Sequence, residues 1–301
     1  MEIAITVSKK QSKNTDDFTT IQAGIAYLMK QPKKSKKILF IEEGVYFENI
    51  ESRLSNFSMI GHGKVEIISN RYAKQRLGNG EARGTFRTST VFVEGTAITL
   101  ENLSISNIAG HGEKVGQAIA LFNMGHQTIV KNCRLSGHQD TLCTGPLPSM
   151  QKDGTPFITP AYYSRHFCQQ VYENCWIEGT VDFIFGGAQA DFIHCQIHSR
   201  QSKNFGYITA ASTPLNQAKG YHFKSCMITA DNQTAPVYLG RPWRSFAQVI
   251  FENCQIAEHI HPSGWNNWQK KENERSVCFV ERKNQYQGTV NRPPWITIEM
   301  R

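Results

Sequence analysis

The sequence predicts an all-β chain wound as a right-handed parallel β-helix, a solenoid of stacked coils with a helix capping its N-terminal end. Three observations carry this. One short phrase recurs with small changes (VKNCRL, YENCWI, FIHCQI, FKSCMI and FENCQI), each time with cysteine in the same slot. Two earlier segments, LSNFSMI and LENLSI, fit with Phe57 and Leu103 in place of the cysteine. The slot then falls at 57, 103, 133, 175, 195, 226 and 254, and a fixed strand phrase at irregular intervals is the pattern of a solenoid whose coils carry loops of different length. Within each phrase small apolar and polar residues alternate at period two. Parallel stacking about 4.8 Å apart puts the slot residues in one interior column, where cysteine is small and apolar enough to fit. The asparagines before the slot, at 56, 102, 132, 174 and 253, are expected to form a side-chain amide ladder. Seven recurrences weigh against an antiparallel sandwich with chance similarity.

Near the start, DDFTTIQAGIAYLMK sets Phe18, Ile21, Ile25, Tyr27 and Leu28 at helical spacing behind an aspartate cap. An open solenoid end exposes apolar surface, which this helix is expected to cover. Lys33, Lys34, Lys36 and Lys37 beside Pro32 read as a solvated turn before a strand. From 144 to 163, TGPLPSMQKDGTPFITPAYY has four prolines and little periodicity, and reads as a long loop that leaves the coil and returns, either a tolerated insertion or a wall beside the site. All 301 residues are expected to form one domain around this inserted loop. Cysteines stacked in one column lack the opposed geometry of a disulfide and are expected as thiols. Cys143, Cys168 and Cys278 fall outside that register, and a pair among them stays open. No C-x-x-C occurs to suggest a zinc site. His259 and His261 share a strand face without an evident third ligand and read as structural.

A chain with 40% hydrophobic residues is too apolar for disorder, and no apolar run approaches the roughly 18 residues of a membrane span. A net charge of +8 favours an acidic partner: nucleic acid, anionic lipid or a polyanionic glycan. The basic residues are scattered rather than striped, so neither nucleic acid nor membrane is expected. No basic start followed by an apolar stretch is seen. The expected compartment is therefore the cytoplasm, with secretion the alternative if a leader was removed, and a monomer is expected.

Two copies of the phrase superpose without a gap, NCRLSGHQDT from Asn132 and NCWIEGTVDF from Asn174. Both carry glycine four residues after cysteine, at Gly137 and Gly179, and aspartate seven after it, at Asp140 and Asp182. Equal offsets in consecutive coils place residues side by side, so the two carboxyls should lie within one or two strand spacings. The third and fourth copies have Ser202 and Gln233 at this offset, confining the pair to two coils. Two adjacent carboxyls cannot both ionise cheaply, so one should be held protonated beside an ionised nucleophile or base. Paired turn aspartates would be the structural explanation. The flanking apolar DFIFGG favours chemistry.

At this point the chain resembles a known family. GQAIAL from Gly116, HQDTL from His138, GTVDFIFG from Gly179 and LGRPW from Leu239 are similar to the signature blocks of the pectin methylesterases, and occur in the same order. The start (DFTTIQAGI, GVYFENI) and the end (HPSGWNNW) resemble them too. The resemblance implies a β-helical carboxylic ester hydrolase without metal or other cofactor, acting on methylated polygalacturonate. It implies Asp182 as nucleophile, Asp140 as general acid and base, Gln117 and Gln139 as oxyanion donors, and Arg241 as the residue that orients the nucleophile. Thr85, Trp243 and Phe185 would contact the sugar chain. Three departures are visible: Cys143 stands where an aromatic residue is common, the 144–163 loop is long, and the glycine-rich start is missing.

The residue types suit ester hydrolysis. An ionised aspartate can attack an ester carbonyl, amide groups can hold the oxyanion, and a protonated carboxyl can assist departure of methanol. A pectate lyase would need clustered acidic ligands for Ca²⁺. A polygalacturonase-like glycosidase also pairs carboxylates, and a non-catalytic pectin-binding β-helix would need neither Asp140, Asp182 nor Arg241. These last two remain the alternatives. No G-x-S-x-G supports a serine esterase.

Overall fold

The recurrent phrase folds as two strands joined at a single left-handed residue. In the coil carrying Asp140 these strands are His126–Lys131 and Arg134–Ser136, followed by Leu142–Thr144 in a second sheet. The next coil repeats this with Gln169–Glu173, Trp176–Gly179 and Ile184–Gly186. Coils pair with their neighbours in parallel, building one 19-stranded and one seven-stranded sheet among the described residues. The computed structural model describes residues 1–9, 17–161 and 167–299. The chain is a parallel β-helix, as its sequence predicts.

The joining residues Asn102, Asn132, Asn174 and Asn253 have φ between 52° and 56°, and their side chains are exposed. The expected amide ladder therefore gives way to a different role. Asparagine is used because it tolerates the left-handed conformation, and the ladder is made by backbone: Asn102 N donates to Lys131 O, Asn132 N to Glu173 O and Asn174 N to Ile193 O. His194, Ser225 and Lys283 occupy the same position in other coils, with φ of 49–51°.

The cysteine column exists, with one correction. Phe57 pairs with Ile98 at the start of the next coil's first strand, so it lies outside the column. Glu66 pairs with Ser104, which makes Val65 the neighbour of Leu103. Phe57 imitates the phrase because Asn56 is also left-handed, at the turn shared with Ala97 and Gln127. Each thiol of the column donates to a carbonyl of the preceding coil: Cys133 to Leu100, Cys175 to Val130, Cys195 to Tyr172, Cys226 to Phe192 and Cys254 to Phe223, at 3.3–3.6 Å. All eight cysteines are free, and Cys278 is exposed.

Beside the thiols runs an aromatic stack of Tyr172, Phe192, Phe223 and Phe251, with centroids 4.4–4.7 Å apart and planes within 11°. It ends where Glu281 pairs with Phe251. That fully buried carboxylate is satisfied by both Nε and Nη2 of Arg292, by Trp265 Nε1 and by Tyr286 Oη, so the column closes without an orphaned charge.

The N-terminal helix is Ile21–Met29 and its cap is Thr20, whose side chain accepts from Ala23 N, not an aspartate. The carboxylate of Glu48 accepts from the amides of Ile21 and Gln22, supplying negative charge at the helix start. Ile21, Ile25 and Leu28 are buried against the first coil; Tyr27 is exposed, and Phe18 belongs to the short strand Asp17–Phe18. Lys37 departs from the solvated-turn expectation: it is buried, and its ammonium donates to the carbonyls of Pro32 and Ser35.

Candidate active site

Leu142 pairs with Ile184, and Asp140 N donates to Val181 O at 3.0 Å, so Asp140 and Asp182 occupy one register in adjacent coils. Both are left-handed, with φ of 65° and 49°, and both are only 7% exposed. The glycines of the phrase allow the turn to close. A Cβ on Gly179 would stand 2.2 Å from Phe183 Cβ and 2.6 Å from His138 O.

The two carboxyls differ in company. Arg241 donates to Asp182 from Nε to Oδ1 at 2.8 Å and from Nη2 to Oδ2 at 2.7 Å, the paired geometry of the strongest charge-assisted hydrogen bonds. Its guanidinium is clamped between the rings of Tyr207 and Trp268, 3.8 Å from each centroid. Burial holds the Asp140 carboxyl well above the ordinary carboxylate range, and the Asp182 charge pushes it further, against a weaker pull from Arg241. Asp182 is raised as well, chiefly by burial, but less than Asp140, because Arg241, and to a smaller degree Lys152, oppose it. A neutral acid beside a cation-held carboxylate is the combination that acid–base and nucleophilic chemistry require.

These groups line a cleft of about 470 Å³ together with Thr85, Gln117, Gln139, Phe185 and Trp243, so the residues proposed from the sequence converge. Ala118 N donates to Gln139 O, fixing the two glutamines in adjacent coils. Their side-chain amides have no hydrogen-bond partner among the described residues, and both residues line the cleft. Thr85 opens the short 3-10 turn Thr85–Arg87 on one wall. Trp243 meets Phe185 edge-on at 5.7 Å. The floor comes from an outward column of the seven-stranded sheet, Phe92–Phe122–Cys143–Phe185–Ala210–Arg241 in register, of which Phe185, Ala210 and Arg241 line the cleft. Cys143 is fully buried in the same column beside them.

Sequence reasoning missed Tyr207 and Trp268, which hold Arg241, and Lys152, Phe157 and Arg244, which complete the walls. Only HPSGWNNW hinted at Trp268. The described part of the 144–163 loop does wall the site: Gln151, Lys152, Asp153 and Phe157 face the cleft, and residues 162–163 lie outside the described residues. Phe157 packs edge-on against Phe86 at 5.1 Å and Trp243 at 6.0 Å. His261 stacks on Tyr238 at 4.5 Å, consistent with a structural role.

The pectinesterase family model matches residues 4–148 and 160–300. The chain belongs to the pectinesterase family. It is 37% identical to pectinesterase 31 of Arabidopsis thaliana over 231 residues, covering 76% of this chain and 63% of the relative. It is 32% identical to the probable pectinesterase 30 of the same plant over 301 residues, covering 96% and 54%. The chain thus spans between half and two thirds of the length of these pectinesterases. Among solved structures, the pectin methylesterase from carrot superposes with a TM-score of 0.78 at 26% identity, covering 98% of this chain and 87% of that one. The pectin methylesterase from Yersinia enterocolitica does so with a TM-score of 0.77 at 26% identity, covering 93% and 94%. Residues 149–159 of the loop stand outside the pectinesterase match. The cytoplasmic placement expected from the sequence finds no support in these relatives, and among the described residues no helix is long and apolar enough to cross a membrane.

Proposed function

We propose that the chain hydrolyses methyl esters of polygalacturonate, releasing methanol and leaving a free carboxylate. The supporting observation is the asymmetric pair: Asp140, held protonated by burial, in register with Asp182, gripped by Arg241. A carboxylate oxygen of Asp182 attacks the ester carbonyl carbon, and the π pair of the carbonyl moves to the carbonyl oxygen. The amides of Gln117 and Gln139 donate to that oxyanion. Collapse breaks the bond to the methoxy oxygen, which takes the proton of Asp140 and leaves as methanol. The ionised Asp140 then accepts a proton from water, whose oxygen attacks the anhydride joining sugar and Asp182. This second collapse expels Asp182 as a carboxylate and frees the sugar as its carboxylic acid, which releases its proton to solvent, while the other water proton is back on Asp140. Arg241 holds Asp182 in its attacking orientation, while Thr85, Phe185 and Trp243 bound the sugar chain.

Other findings favour an acidic sugar polymer. The protein carries net positive charge, and one mutant pectin methylesterase of the same fold, 25% identical, was solved in complex with a hexasaccharide. We take the protein to act as a monomer on this polysaccharide. A glycosidase would also use two carboxyls, but the amides of two glutamines that line the same cleft serve an acyl oxyanion better. Methanol release from methylated pectin is the test. The wild-type protein should produce it, and Asp182→Asn should lose at least about 10³-fold in rate while circular dichroism stays unchanged. An active Asp182→Asn variant, or chain cleavage without methanol, would replace this reading with another.

A further inference from the structure

The loop from 145 to 161 is docked rather than draped. Arg244 Nη2 donates to Met150 O at 2.9 Å, Arg53 Nη2 donates to Pro160 O at 2.7 Å, and Phe157 is seated between Phe86 and Trp243. Its tip is knotted by Gln151 N donating to Thr155 O, and by Gln151 Nε2 donating to Thr155 Oγ1 and Pro156 O. This scaffold holds Lys152 over the ring of Trp268, 4.3 Å from its centroid and within the cleft.

No carboxylate partners Lys152 among the described residues. The loop's own acid, Asp153, also lines the cleft, but it is engaged within the loop, its Oδ1 accepting from both the amide and the hydroxyl of Thr155. The groups around the ammonium are mostly cations. Burial lowers its pKa, and Lys270, Arg244 and Arg241 lower it further, with only Asp182, already bound to Arg241, acting the other way. Arg244 spends its guanidinium on the carbonyls of Met150 and Trp243. The cleft therefore holds one carboxylate-held cation at the reacting centre and, beside it, a second concentration of positive charge whose ammonium, Lys152, has no paired carboxylate among the described residues. Crowded cations are relieved by an anion.

We propose that Lys152 is a specificity residue that binds a free carboxylate on a sugar neighbouring the methylated one, so that the enzyme favours partly de-esterified chains over fully methylated ones. This rests on the pectinesterase reading above and adds to it a charge requirement. The requirement comes from a segment outside the family match. The ligand chemistry is an unesterified galacturonate unit, and the contact is an ammonium–carboxylate pair with Trp268 beneath the ammonium.

Binding tests this separately from turnover. Non-esterified trigalacturonate and its fully methylated counterpart are titrated calorimetrically against wild type, Lys152→Gln and Lys152→Arg, with thermal unfolding confirming that each variant is folded. Wild type should bind the free acid more tightly. Lys152→Gln should weaken that binding by roughly fivefold more than it weakens binding of the ester, and Lys152→Arg should restore the preference. The same ratio should appear in kcat/KM for partly against fully methylated hexamers. Failure of the free acid to bind wild type, equal losses on both ligands, or an arginine variant no better than glutamine would each overturn the proposal. Absence of methanol release with the binding preference intact would instead refute the esterase reading and leave the carboxylate site standing.

Discussion

Two columns run along this solenoid under the same register, and they are built to opposite ends. The inner one stacks thiols and rings: Tyr172, Phe192, Phe223 and Phe251 are all fully buried and nearly parallel, and each cysteine bonds to the coil before it. Every neighbour repeats the chemistry of the last, so burial is favourable at each step. The outer one begins the same way, Phe92 to Phe122, and then breaks its repetition with Cys143, Ala210 and Arg241. Where the repetition breaks, Asp140 and Asp182 are buried at cost, and Arg241 enters to hold one of them. Repetition gives stability, and departure from it gives a site. Changes in the inner column should thus move stability and leave chemistry alone, and changes at the outer one should do the reverse.

The largest effect on stability is expected from Phe251→Ala. The ring is fully buried between Phe223 and the edge of Trp265, at 4.4 and 5.9 Å. Its removal should cost about 3–5 kcal/mol, read as a lowered denaturant midpoint, with kcat preserved in the folded protein. A large fall in kcat without loss of stability would erase the distinction between the columns. The converse variant is Gln139→Ala. Removing one oxyanion donor should lower kcat about 10²–10³-fold. Because that amide has no partner among the described residues, the denaturant midpoint should barely move. A Gln139→Ala variant with unchanged kcat would take the amide out of the chemistry.

The same contrast explains what could be read in the sequence. Asp140 and Asp182 were legible because both are counted from a cysteine that stacks, and stacking converts equal offsets into adjacency. The same logic slipped at Phe57, where a second left-handed turn at Asn56 copies the phrase without sharing its position. The asparagines were visible as a repeat, but their role was not. A pattern of letters does not say whether an amide bonds sideways or merely tolerates φ near 52°. Tyr207, Trp268 and Lys152 were hidden for another reason. They reach Arg241 and its surroundings from a different coil, a C-terminal turn and a loop, and no periodicity links those segments.

The smallest effect concerns the cost of burying Asp140, and its sign is fixed by the direction of the shift. The folded carboxyl titrates well above its unfolded counterpart, which loses its proton near pH 4. Below that pH both states are protonated and Asp140 imposes no charge penalty on the fold. As pH rises past it, the unfolded chain gains a solvated carboxylate while the folded chain keeps its proton. The wild-type protein should therefore lose stability, at up to about 1.4 kcal/mol per pH unit, until the folded carboxyl also ionises. Asparagine has the same size and does not titrate, so Asp140→Asn should escape this slope. Denaturant midpoints of wild type and variant, measured from pH 4 upward, should diverge in favour of the variant, even though the variant lacks the acid that methanol departure requires. Parallel curves would mean that Asp140 ionises as easily folded as unfolded. The outer column would then hold two ordinary carboxylates, and the asymmetry between Asp140 and Asp182 would need another origin than burial.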